Sequence, residues 1–532
     1  MSNVTEKIGK YRWLIVALLL FSTTVNYMDR QVITYLKDFF CSSSGFNWSD
    51  TDYSNLTSTF IVFYAVVSIF MGRFIDKVGT KLGLAFSLIA WSVFGIINAF
   101  VGSAIMLHIL VRSLFGLGEA GNYPASNKVV AEWFPKKERA LAFSIFNSGS
   151  NIGAMISALF VPFCLGFFIG GKQPFGLAGW QCAFVLTGTI GFLWLIFWFI
   201  FYDTPSKLKA KGKLSEADYN YIHSDVDDVV VNHSGDGEEN NVSWFKLLKY
   251  KQTWAFFWGK FMTDGIWWFY LFWLPDYLIK QFGMTNDQTK WPSFIVYGIA
   301  IIGSLYGGSL PMSLINKGMP VYKARMRSML MFAVVPLVVL TTQFFGNKDI
   351  FGDYSIMLAV LIICLGAAAH QAWSANLFTT VSDMFPKKAI GSVTGIGAMS
   401  GGIGGFIIQQ LSGRLNDAYR AKGILDCWTQ AKVQHLEPAV LKIKALVLPS
   451  IDGHKMIDVR AIGDLQKDAT EKIIHAIGQT DFNALVAIQK STVQPQLGNA
   501  YMIMFVISAL CYLIAWMIMK VLVPKHKPIT DL

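Results

Sequence analysis

"EWFPKKERA" at 132–140 and "DMFPKKAIG" at 383–391 share the tetrapeptide FPKK, once at 134–137 and again at 385–388. Each copy closes a long apolar run. Each is followed by a glycine-rich run, "NSGSNIGA" at 147–154 and "GAMSGGIGG" at 397–405. The chain around them is 53% hydrophobic and 15% charged. Its apolar residues recur in segments of roughly 20 residues or more, the length that crosses about 30 Å of hydrocarbon. Twelve such segments are counted, at about 11–36, 53–75, 80–101, 103–133, 139–169, 178–201, 252–283, 291–316, 325–345, 353–384, 388–413 and 498–523. The two FPKK copies end the fourth and the tenth. A marker that returns six spans later predicts two halves related by duplication. The expected fold is an all-α membrane protein of twelve transmembrane helices in two pseudo-symmetric six-helix bundles.

Hydropathy divides the chain further. Residues 1–202 form the first bundle, and 203–250, with "SGDGEENN" inside, form a hydrophilic linker. Residues 251–413 carry spans seven to eleven, 414–497 are a polar insert, and 498–532 hold span twelve and a tail. The first run is long and lacks a small-residue cleavage site, so it reads as a retained span. The insert is too long for a simple connection. Its segment "DLQKDATEKIIHAI" has an apolar face through Leu465, Ala469, Ile473 and Ile477. A small extracytoplasmic cap is expected, dispensable for the basic cycle of the molecule.

The net charge is +11. Nucleic-acid binding would need that charge clustered on a soluble face. Instead it follows the loops. Alternate short loops carry Arg73, Lys77, Lys81, Lys136, Lys137, Arg139, Lys317, Lys323, Arg325, Arg327, Lys387 and Lys388. The opposite loops carry only Lys37, Lys172, Lys280, Lys290 and Lys348. This is a positive-inside pattern with both termini and the linker in the cytoplasm. Cys164, Cys182, Cys364 and Cys511 lie in spans and read as packing residues. Cys41 and Cys427 both fall in outside loops, and nothing in the sequence fixes their distance, so a disulfide between them stays open.

Charge appears inside the spans as well. "TTVNYMDRQVITYL" at 23–36 carries Asp29 and Arg30 side by side. A charge at the centre of a span costs about 2.5–3.5 kcal/mol on insertion scales and marks function by default. In span four, "VRSLFGLGEAGNYPASN", Arg112 and Glu119 are two helical turns apart and share a face, which Tyr123 and Ser126 extend. Two acids and two arginines inside one bundle must face one another or water. One reading is a static ion-pair network that locks the helices. The other is an anion site with titrating acids beside it: an arginine fork binds a carboxylate bidentately, and an acid that loses its counter-charge takes up a proton.

The second half has fewer charges. His370 and Gln371 lie deep in span ten; His370 suits either a substrate hydroxyl or an ordinary packing role. Trp267 and Trp268 can stack on a sugar ring or simply pack. Lys260 and Asp264, four apart, read as an ion pair on the helix surface or between the bundles. Ser374 and Asn376 are weaker hydroxyl contacts. No Walker loop, zinc spacing or nucleophile constellation is present, so no cofactor, metal or enzymatic chemistry is expected, and an ion gradient is the expected energy source.

The loop "GRFIDKVGTK" at 72–81 resembles the loop motif of the major facilitator superfamily, with Gly72, Asp76, Lys77, Gly79 and Lys81 in place. Gly72 is expected to permit close helix approach. Asp76 is expected to pair with basic groups or a helix N-terminus at a cytoplasmic gate that includes Lys77. "NYMDR", "RSLFGLGEAGNYPA" and "EWFPKKERA" resemble the anion:cation symporter family within it. "TWAFFWGKFMTDGIWWFYLFWLPDYL" and "AHQAWSANLFTTVSDMFP" resemble its hexuronate branch. The resemblance covers nearly the whole chain outside 414–497. It implies a monomer in a cell membrane, the bacterial inner membrane, that takes up a small organic anion such as a hexuronate with protons by alternating access. It implies proton-linked roles for Asp29 and Glu119, carboxylate contacts for Arg30 and Arg112, and site-lining roles for Tyr27 and Tyr64. Aldonate relatives carry Gln where Ser150 stands, beside Asn151, which leaves the sugar-hydroxyl contacts and the exact substrate open. A sodium-coupled anion carrier and a receptor that binds the anion without moving it are the alternatives.

Overall fold

The structure is a computed structural model. It describes residues 9–42, 45–169, 176–224, 244–385, 387–447, 473–525, 527 and 529. Within hydrocarbon, a lone segment can satisfy its backbone N–H and C=O groups only as a helix. The apolar runs accordingly become α1 (Tyr11–Tyr35), α2 (Asp50–Val78), α3 (Thr80–Ile97), α4 (Ile105–Glu119), α5 (Asn122–Trp133), α6 (Lys136–Ile169) and α7 (Gly179–Phe201) in the first half. The second half holds α8 (Lys251–Phe282), α9 (Lys290–Asn316), α10 (Val321–Val334), α11 (Tyr354–Met384), α12 (Lys387–Val433) and α13 (Gln479–Leu522). The predicted fourth span is broken into α4 and α5. Pro124 has no N–H to offer the carbonyl of Ala120, so the ladder opens directly after Glu119. Pro336 does the same in span nine, which continues past α10 as a 3₁₀ stretch, Val335–Thr341.

Eight helices among the described residues are long and apolar enough to cross a membrane by length and composition. The others are α1, α4 with α5, α8 and α12, which carry the intramembrane charges and glycines noted above. Leu193, Ile196, Phe197 and Ile200 of α7 and Ile302 and Leu305 of α9 are exposed. An apolar outer surface of that kind fits lipid rather than water. The chain is a multi-pass membrane protein.

In the first half α1 packs on α6, and α4 packs on α2 and α3; in the second, α8 packs on α12 and α13, and α9 on α11. The halves meet along α2–α12 and α6–α9. These are spans 2 with 11 and 5 with 8, pairs that exchange when each span is advanced by six. The glycine-rich runs explain themselves in the same way. A Cβ on Gly153 would fall 2.4 Å from the Thr24 carbonyl oxygen, and one on Gly404 would fall 2.1 Å from that of Phe261. Only glycine lets α6 seat on α1, and α12 on α8. Gly72 does not share this role: a Cβ there meets nothing within 4 Å, so the expected close approach is absent.

The helices run past the borders that hydropathy drew at 413 and 498. Polarity marks where a helix leaves hydrocarbon, not where its hydrogen bonds stop. The extensions of α12 and α13 and the helix Glu437–Val447 enclose a satellite core that includes Ile424, Ala431, Leu436, Ile473, Leu485 and Ile488, with Ile477 against it. Cys427 is buried in that core and Cys41 at the end of the first half's opening segment; both are free thiols, so the disulfide left open does not form. The start of the linker folds back on the first half, where the Tyr221 hydroxyl donates to Glu138 at 2.7 Å. "SGDGEENN", Leu465, Ala469 and the side chain of Asp76 lie outside the described residues.

Candidate functional site

Arg30 lies near the end of α1, fully buried. Its Nε and Nη2 both reach Oε2 of Glu119, each at 2.9 Å. Its guanidinium carbon stands 4.3 Å from the ring centre of Tyr27, 5.0 Å from Tyr64, 5.1 Å from Trp268 and 5.4 Å from Phe60. Three helices of the first half and one of the second thus meet on one cation. Four π faces attract a buried cation. Nη2 also reaches Oδ1 of Asn26 at 3.5 Å. Oε1 of Glu119 has no partner, so the existing ion pair is not the full fork.

Arg112 and Glu119 do share a face of α4, yet they form no ion pair with each other. Arg112 Nη2 instead donates to the backbone carbonyl of Arg30 at 2.6 Å, and its guanidinium lies 4.1 Å from the ring centre of Phe115. Its Nη1 is buried without a partner. Asp29 points elsewhere than its neighbour Arg30, as the 100° step of a helix requires. Thr187 and Trp91 are its polar neighbours. Neither carboxylate oxygen completes a hydrogen bond, and the group is buried.

Other predicted residues stand at greater remove. Ser150 turns its hydroxyl onto the Asn147 carbonyl of its own helix at 2.8 Å. Oδ1 of Asn151 is buried without a partner. Tyr123 donates to Asn147 Oδ1 at 2.9 Å. In the second half, His370 bonds the Tyr512 hydroxyl through Nδ1 at 2.7 Å and stacks flat on Trp267, centroids 4.9 Å apart and 5° from parallel. Gln371 follows it, half-buried. Lys260 and Asp264 pair at 2.6 Å within α8, not between bundles. Asn376 spends its amide on the carbonyls of Gly307 and Ala372, a packing role. Lys77 is exposed.

The sequence reading missed a second buried charge cluster, at the face away from both termini. It joins Lys37, Asp50, Asp276, Lys280 and Arg420. Lys37 and Lys280 are not loop charges; both are buried. The available signal was Asp276 and Lys280, spaced i,i+4 at the end of an otherwise aromatic span.

The sequence model of the Major Facilitator Superfamily matches residues 19–408. The hexuronate transporter of Escherichia coli (strain K12) is 27% identical over 419 residues, covering 77% of this chain and 89% of that protein. The D-galactonate transporter of Escherichia coli O6:H1 is 25% identical over 419 residues, covering 78% and 91%. Among solved structures, a bacterial homologue of the human lysosomal transporter Spinster, inward-facing and occupied, aligns over 96% of this chain and 97% of its own with a TM-score of 0.64 at 18% identity, a likeness of fold. The chain belongs to the Major Facilitator Superfamily, and it is a membrane transporter, not an enzyme.

Proposed function

We propose that the protein imports a sugar-acid monoanion, a hexuronate, together with protons, by alternating access across a cell membrane. The observation that carries this reading is Arg30: a buried guanidinium held by one carboxylate oxygen and four aromatic rings, between the two halves of the molecule. A substrate carboxylate competes with Glu119 for that fork. Removing one partner of a buried ion pair leaves an uncompensated charge that costs about 3–5 kcal/mol, so the displaced Glu119 takes a proton. Asp29, with no cation in contact, serves as a second proton carrier. Arg112 supports the backbone of Arg30 and offers its unused Nη1 to the same anion. Tyr27, Tyr64 and Trp268 flank the sugar ring, and His370, Gln371, Ser150 and Asn151 supply contacts to its hydroxyls. Gly72, Asp76 and Lys77 belong to the closing loop on the cytoplasmic side, where the positive-inside pattern puts both termini. The protein works as a monomer, since each chain carries a complete central site.

The names of the relatives, hexuronate and galactonate transporters, support this substrate class. Counterflow in proteoliposomes tests it. Vesicles loaded with unlabelled galacturonate should draw in labelled galacturonate. A receptor would bind the label without exchange, and a sodium-coupled carrier would accumulate it only on a sodium gradient.

A further inference from the structure

The charge cluster between the halves has an arrangement that distinguishes a gate from a brace. Lys37 Nζ lies 2.5 Å from Asp50 and 2.6 Å from Asp276. Lys280 Nζ lies 3.0 Å from Asp50, 2.7 Å from Asp276 and 3.2 Å from Asn416 Oδ1. Arg420 pairs with Asp50, and the Tyr501 hydroxyl donates to Asp276. Asp417 accepts the backbone N–H groups of Asp50 and Thr51 at 3.0 and 2.8 Å, capping the first turn of α2 from the other half of the molecule.

Among the described residues, each half is neutral within this cluster. The first contributes Lys37 and Asp50. The second contributes Asp276 and Lys280, one turn apart on α8, and Asp417 and Arg420, three residues apart on α12. A permanent brace would put one sign on each half. Here every charge keeps an opposite charge on its own side when the halves part. Buried ion pairs add little net stability against hydrated ones, but a half-separated, half-dry pair is costly. The cluster is therefore stable closed and dry or open and wet, with nothing favourable between.

A polar seam leads from the cluster to the site. The Tyr53 hydroxyl donates to the Phe272 carbonyl at 3.0 Å. Oε1 of Gln409 accepts from Thr57 at 3.1 Å and from the Trp273 indole at 2.6 Å. Nε2 of Gln409 donates to the carbonyl of Trp268 at 3.1 Å. The ring of Trp268 is one wall of the Arg30 cage. The approach of α12 to α2 also depends on Gly413, where a Cβ would fall 2.3 Å from Ser54 Oγ and 2.7 Å from the Asp50 carbonyl oxygen.

The structure assigns to Lys37, Asp50, Asp276, Lys280, Asp417 and Arg420 the role of an outer gate: they close the face opposite the termini over the Arg30 site and set the balance between the two access states. Two of the six lie in the helical extension beyond the apolar part of α12, which makes that extension a working part of the transporter. The inference rests on the alternating-access reading, but not on the identity of the substrate.

The test is labelling of a Ser58→Cys thiol, in a chain whose six native cysteines are replaced by serine, by a membrane-impermeant maleimide applied to the face opposite the termini. Ser58 is buried on α2 and accepts a hydrogen bond from Gln410 of α12 at 2.7 Å, so only opening at that face exposes it. Lys280→Gln removes a shared cation, and Gly413→Leu wedges the helices without changing charge. Each should speed labelling about tenfold, the population change given by 1.4 kcal/mol. If Lys280→Gln does not fold, Gly413→Leu decides alone. Labelling as slow as in the parent, in folded variants, overturns the gate. Galacturonate counterflow on the same vesicles judges the substrate separately: a failure there with fast labelling removes the hexuronate and leaves the gate.

Discussion

Taking a guanidinium out of water costs several kcal/mol unless geometry and hydrogen bonds compensate. Arg30 meets that cost with Glu119 and four rings, and the arrangement leads to two residue-level predictions. Arg30→Lys keeps the charge and loses the planar fork. Uptake of hexuronate should fall by about tenfold or more, the effect of 1.4 kcal/mol, while the protein still folds. Initial rates in proteoliposomes, with circular dichroism for folding, check this. Asp29→Asn mimics the neutral acid. It should keep counterflow and lose accumulation driven by a pH gradient, measured in the same vesicles; accumulation equal to the parent would make Asp29 structural. The intramembrane charges were legible in the sequence because a charge is costly in an apolar run and stands out there. Their pairing was not. The spacing of Arg112 and Glu119 places them on one face, but which arginine meets Glu119 depends on how α1 crosses α4. The Lys37–Lys280 cluster showed only as the i,i+4 pair Asp276 and Lys280: its members come from four helices and gather only after the halves meet.

At the scale of elements, the glycine-rich runs of α6 and α12 read as helix contacts and become so, because the absence of a Cβ is itself a sequence feature. Gly153→Leu and Gly404→Leu should each drive a side chain into a backbone carbonyl and destabilise by about 1–3 kcal/mol or more. A lower melting temperature in detergent, with less folded protein recovered, is the expected result. Hydropathy located the spans but not the ends of α12 and α13, since a helix that leaves hydrocarbon becomes polar without ceasing to be a helix. On the gate proposal, the expectation that 414–497 is dispensable narrows to 434–478. Replacing 434–478 by a short Gly/Ser linker keeps Asp417 and Arg420 and should leave exchange near the parent rate. Removing 414–497 entirely takes Asp417 and Arg420 from the gate and should leave the outer face open, with fast labelling at the Ser58→Cys thiol.

For the whole molecule, duplication explains most of what one sees. The FPKK repeat predicts two halves, and the pairs α2–α12 and α6–α9 are exchanged by the same six-span step. Duplication does not extend to chemistry: the first half holds Asp29, Arg30, Arg112 and Glu119, while the second offers the stacked Trp267 and His370 with Lys260 and Asp264. On the proposed reading, the first half binds the anion and the second closes over it. The central claim is that anion and proton move together. The most direct measurement places a pH-sensitive dye inside proteoliposomes with no imposed gradient and adds galacturonate outside. The account predicts that the interior acidifies as the sugar acid enters, and that Arg30→Lys weakens the signal by about tenfold or more. Entry of labelled galacturonate with no change in internal pH, or entry only when sodium is present, would contradict it.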